Sequence, residues 1–149
     1  MRKILTLLTA VCAFALSGCT IGPLGPNGPL NLERAISDGV IPHGRIALFQ
    51  RAVWMPPRAH NSGILGALAI TDQLVLFIIW DETGKKYRRT WAVERSTIVD
   101  VSIERVGLSK WAHIYNVNGF HTVFAVPGEG SGIPDGDATE QIRTILVGK

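Results

Sequence analysis

Cysteine is nearly absent. The 149 residues hold two, Cys12 and Cys19, and none follows. From residue 20 onward the chain has no thiol to form a disulfide, attack a substrate or bind a metal. Its fold must rest on its core alone. No uninterrupted apolar run reaches the roughly 20 residues that a membrane-spanning helix needs. No Ser stands in a Gly-x-Ser-x-Gly elbow, and Ser131, in Gly128-Glu129-Gly130-Ser131-Gly132, imitates one only superficially. The same glycines lack the Lys-Ser/Thr of a phosphate loop. Asp135 and Asp137 do not belong to a 12-residue calcium loop. The four histidines, His43, His60, His113 and His121, are not clustered, so no metal or other cofactor is expected. His113 and His121 flank one turn and can approach each other, but a metal would need a third ligand. No pair of carboxylates has a reason to share a cleft with split pKa values.

What is present begins at the amino terminus. Met1-Arg2-Lys3 is basic, residues 4–16 are mostly apolar, and Leu16-Ser17-Gly18-Cys19 follows at once. Charge, length and small residues in that order make a secretory signal. Leu16-Ser17-Gly18-Cys19 resembles the lipobox of bacterial lipoproteins. That resemblance implies a diacylglyceryl group on the Cys19 sulfur, cleavage before it, and acylation of the new amino terminus. Two or more chains anchor stably where one is marginal. Residue 20 is Thr and not Asp, which in that family implies the outer membrane, with the domain facing the periplasm, if the cell is Gram-negative. Loss of residues 1–18 removes Arg2 and Lys3, so 15 basic residues become 13 against 12 acidic and the formal charge falls from +3 to +1. Nothing global then calls for nucleic acid, which usually meets a strongly basic field.

Three segments follow from composition: a signal over 1–18, a lipidated Cys and tether over 19–31, and one domain over 32–149. Residues 20–31 hold three Gly and three Pro. They deny helix and strand, and extended they reach about 40 Å. Asn31 is placed to cap a short helix over residues 32–37, which Asp38-Gly39 ends. Strands are expected over 45–54, 63–70, 74–80, 87–93, 98–106, 111–117 and 120–126. Residues 74–80, Leu-Val-Leu-Phe-Ile-Ile-Trp, are apolar throughout and should be central. Asn118-Gly119 reads as a tight hairpin turn. Asp137, with Glu140 three residues on, reads as the cap of a last helix that Gly148 stops. The expected fold is mainly β, about seven antiparallel strands curved around a core with one C-terminal helix.

That order is also the order of the pleckstrin-homology superfold. Gly66-Ala67-Leu68-Ala69-Ile70-Thr71-Asp72-Gln73-Leu74-Val75-Leu76-Phe77 is similar to the Gly-x-Leu-x-Ile-Thr-(Asp/Asn)-x-x-Leu-x-Phe hairpin of its GRAM-type, bacterial PH-like branch. Residues 93–102 resemble the family's next segment, without its proline. The family's motif residues are structural: Thr71 and Asp72 bond the turn backbone. Lys85, Lys86, Arg88 and Arg89 gather on one hairpin. Many PH-type domains bind phosphoinositides through a basic first hairpin, whereas this cluster falls on a later one. Trp54 and Trp111 stand at strand ends, where an exposed Trp is a common interface anchor.

The expected function is therefore non-enzymatic: an envelope lipoprotein, membrane-held through Cys19, whose PH-like domain binds another envelope protein or serves assembly. Trp54, Trp111, Lys85, Lys86, Arg88 and Arg89 are its candidate contacts. Binding of anionic phospholipid headgroups by the basic hairpin is the alternative, and a hydrolase with an undisclosed cleft is the remote one.

Overall fold

The alternation of apolar and polar residues from 46 to 125 is realised as strands, and the all-apolar segment lies where both sheet faces are covered. The structure, a computed structural model, describes residues 29–57, 63–128 and 133–148. Cys19 with its lipobox, His60 and Ser131 lie outside the described residues. Helix α1 (Leu32–Ser37) leads into β1 (Ile46–Met55), β2 (Ile64–Thr71), β3 (Leu74–Asp81) and β4 (Lys86–Glu94). A 3-10 turn (Arg95–Thr97) joins these to β5 (Ile98–Val106), β6 (Ser109–Asn116) and β7 (His121–Ala125), and α2 (Gly136–Val147) follows.

The seven strands form one antiparallel sheet in the order β4-β3-β2-β1-β7-β6-β5. Two meanders, β1 to β4 and β5 to β7, meet where Val53, Trp54 and Met55 pair with Ala125, Phe124 and Val123. This is the expected mainly β, PH-like arrangement of a curved sheet with a C-terminal helix. The inner face gathers Leu48, Trp54, Leu68, Phe77, Ile114 and Phe124 against Ile142 and Leu146 of α2. The outer face of β2 to β4 gathers Ala67, Ala69, Leu76, Ile78 and Tyr87 under Ala35, Val40 and Ile41. Val75 and Phe77 belong to the first cluster, Leu76 and Ile78 to the second, and all four are fully buried. A strand covered on both faces has no polar side, so the 74–80 run carries none.

Gly66 lets β2 and β3 approach. A Cβ there would stand 2.4 Å from the Ile78 carbonyl oxygen and 2.5 Å from the Phe77 ring, so any side chain would force backbone to move.

Two local expectations change. Asp135, not Asp137, caps α2: its carboxylate accepts the Asp137 and Ala138 N–H groups, both at 3.0 Å. Asp137 is already inside the first turn, and Glu140 accepts from Lys110 at 2.6 Å and does not close a capping box. Cap choice follows the strand end before it. The Asp135 N–H donates to the Val126 carbonyl at 2.7 Å, which fixes Asp135 at the boundary.

The β6–β7 turn is one residue longer than expected. The Asn116 N–H donates to the Phe120 carbonyl and the Gly119 N–H to the Asn116 carbonyl. Val117, Asn118 and Gly119 thus form a three-residue loop, with Gly119 at φ +72°. The Asn116 side chain drives this choice, since its Oδ1 accepts from both Asn118 N (3.1 Å) and Phe120 N (2.9 Å). The register becomes Tyr115 opposite His121 and His113 opposite Val123.

Candidate functional site

Trp54 is not an exposed contact. It is 7% accessible, its indole N–H donates to Thr122 Oγ1 at 2.6 Å, and its ring lies 5.4 Å from Phe77 and 6.5 Å from Trp91. Its position near a strand end does not expose it, because β1 pairs there with β7 and the ring packs inward among Phe77, Trp91 and Phe124.

Thr71 serves its turn as expected. Its hydroxyl accepts the Leu74 N–H at 2.8 Å and the Gln73 N–H at 3.3 Å and donates to the Leu74 carbonyl. The contribution of Asp72 is its backbone N–H, which donates to the Arg45 carbonyl at 3.3 Å.

The basic hairpin is interleaved with acid. Lys85 Nζ lies 2.8 Å from Glu82. Arg89 donates through Nε and Nη2 to the Val40 carbonyl at 3.1 and 2.9 Å. This fixes the loop after α1 to β4. The Asp38 carboxylate accepts the Tyr87 N–H (2.8 Å) and Arg34 Nε (2.9 Å). The Tyr87 N–H holds the Asp38 carboxyl below its ordinary range, against the pull of desolvation, with Arg34 and Lys86 adding to the effect. Asp81 is lowered first by the Gly84 N–H, then, against desolvation, by the Thr83 N–H and by Arg88 and Lys86 nearby. Lys85 and Arg89 thus have structural partners, while Lys86 and Arg88 sit beside carboxylates.

Trp111 stands on a different surface. Helix α1 and the loop after it cover the outer face over β2 to β4 and the start of β1, and α2 packs against the inner face. Over β5, β6, β7 and the end of β1, neither helix covers the outer face of the described residues. Period-two alternation assigns that face. Ala112 and Ile114 are buried inward and Thr122 and Phe124 likewise. Trp111, His113 and Tyr115 of β6 and His121 and Val123 of β7 therefore point outward, each half-buried. Met55 and Val53 continue the row on β1, and Asp100, Ser102 and Glu104 form its exposed rim on β5. Tyr115, Met55 and Glu104 were not singled out from the sequence. The alternation Trp111-x-His113-x-Tyr115 was the available signal.

The centre of this face is a chain of contacts. His113 Nδ1 lies 2.8 Å from His121 Nε2. The two ring centroids are 5.0 Å apart with planes 12° from parallel. At so short an N···N distance, that separation requires the rings to meet edge to edge in nearly one plane. Tyr115 stacks face to face on His121, centroids 4.6 Å apart. On the far side of His113, Glu104 Oε2 stands 2.8 Å from Nε2, as an ion-pair contact off the N–H direction. Burial pushes His121 below its ordinary pKa, the neighbouring His113 adds to this, and Glu104 opposes both.

Among the described residues, no three His, Asp or Glu side chains gather to hold a metal ion. No described helix is long and apolar enough to cross a membrane. No protein-family model matches the chain, and no curated protein is similar to it at a significant level.

Proposed function

We propose that this protein is a lipid-anchored component of the bacterial cell envelope that works by binding another protein, without turnover. The anchor is Cys19, and the outer membrane facing the periplasm is the site implied by Thr20. The single observation that carries the binding reading is the divided outer face. One half is roofed by α1; the other has no helix over it among the described residues, yet bears Trp111, Tyr115, two histidines, Met55, Val53 and Val123. Aromatic residues and Met are enriched at protein interfaces, and Lys and Glu are depleted at their centres. The carboxylates of Asp100 and Glu104 lie at its rim, so the complementary partner is a protein with an aliphatic centre and a basic rim. The headgroup alternative is less favoured, because Lys85 and Arg89 of the basic hairpin already hold Glu82 and the Val40 carbonyl.

Photo-crosslinking residues placed at Trp111 and Tyr115 in cells should capture one discrete partner. The same probe at Arg88 should not. With that partner purified, Trp111→Ala should weaken binding about thirtyfold, equivalent to about 2 kcal/mol for an interface anchor. Capture from Arg88 alone, or salt-sensitive adsorption of the domain to anionic liposomes, would transfer the function to the basic hairpin.

A further inference from the structure

We infer that His113 and His121 hold one hydrogen between them, and that charging both rings in mildly acidic surroundings parts them and remodels the docking face. This rests on the reading of that face as the binding surface.

The geometry sets the limit. At 2.8 Å, Nδ1 of His113 and Nε2 of His121 are at hydrogen-bond distance, with the rings edge to edge. One hydrogen fits between these nitrogens. A neutral His121 donates from Nε2 to Nδ1 of His113, or a charged His113 donates the other way. When both rings are charged, each facing nitrogen carries a hydrogen, and the contact cannot persist. Two positive rings at this separation also repel.

The surroundings are specific. From β5, the Glu104 carboxylate lies against His113 and attracts its charge, and Asp100 stands opposite Tyr115. From β6, the Tyr115 ring lies over His121. On β7 the next outward residue is Val123, with no charge. On β1, Val53 and Met55 pair with β7, and the charged residue of that strand face is Arg51. A first proton on the pair is therefore shared beside one carboxylate, and the second meets no new carboxylate among the described residues.

The direction follows. His121 binds its proton less readily in the folded chain than when unfolded. Above the unfolded value of about 6.5 the neutral ring is stable in both states. As pH falls from there toward the lower folded value, the unfolded chain takes up more protons and the arrangement loses stability. Because Trp111 and Tyr115 share the strand with His113, the face that carries them is the part that yields.

The test needs no partner. The full-length protein in detergent, labelled with ¹⁵N-histidine, is titrated from pH 8 toward pH 5 by NMR, with Tyr115 and Trp111 signals followed in parallel. We expect a scalar coupling between Nδ1 of His113 and Nε2 of His121 at neutral pH. It should vanish at acid pH together with a shift of the Trp111 and Tyr115 signals. In His113→Gln the His121 midpoint should move up. Should that variant fold poorly, His121→Asn should abolish the acid step seen at Trp111. Absence of the coupling at neutral pH overturns the inference, as does independent one-site titration of the two rings with Trp111 unmoved. Those results would leave docking at Trp111 intact, whereas failed cross-linking there would leave the titration intact.

Discussion

Asp135 and Asp137 are two positions apart and do different work. Asp135 accepts two backbone N–H groups at the start of α2. Asp137 is fully exposed, with Lys110 3.6 Å away as its ion-pair contact. Asp135→Ala should therefore cost about 1 kcal/mol and Asp137→Ala much less, as measured by urea unfolding of the two variants side by side. Equal losses would mean that the cap has been misassigned. Residues with local partners were legible: Asn31 caps α1 and Thr71 ties its own turn. Trp54 was not, because its burial depends on β7, which lies far along the chain. The approach of His113 to His121 across their turn was legible, but not its 2.8 Å distance, which depends on one residue of loop.

At the scale of the element, that loop decides which side of the sheet a histidine faces. A two-residue turn at Asn118-Gly119 would oppose Asn116 to His121 and send His121 inward. The three-residue loop opposes Tyr115 to His121 and brings it out beside His113. A slip of one residue exchanges the faces of a strand. The strands themselves were legible to within one or two residues because alternation and β-branched content repeat over many positions. The turn was not, because the Asn116 side chain outweighs the familiar Asn-Gly pair. Gly119 sits at φ +72° with open space around its Cα. Gly119→Ala should thus cost about 1 kcal/mol through backbone conformation alone. Thermal unfolding should show that loss with little change in the sheet's circular dichroism. A variant as stable as the parent would mean that the loop adopts another turn.

At the scale of the whole molecule, about seven antiparallel strands curved around a core and closed by one C-terminal helix were expected, and the structure has them; the order of the strands in the sheet was not read from the sequence. The half-face that neither described helix covers was not foreseen. Its alternation lies within β6, but that neither described helix covers it depends on where α1 folds back. The anchor is tested separately: mass spectrometry of the purified protein should find Cys19 as the first residue, diacylglyceryl-modified on sulfur. Cys19→Ala should leave the signal uncleaved by the lipoprotein route. An unmodified Cys19 in the mature wild type would end the lipoprotein proposal.

The path by which the chain enters the domain has a mechanical consequence. Just before α1, the Asn31 N–H donates to the Tyr87 hydroxyl, and after α1 the Asp38 carboxylate holds the Tyr87 N–H. Both fastenings are on β4, at one edge of the sheet, whereas the row through Trp111 is on β6, five strands away. At about 4.8 Å per strand this is roughly 24 Å along the sheet. A chain pulled from its membrane end, as the proposed anchor would pull it, loads the Tyr87 clasp first. Helix α1 would peel from β4 before the force reached β6, so the leash can go taut while the grip stays whole.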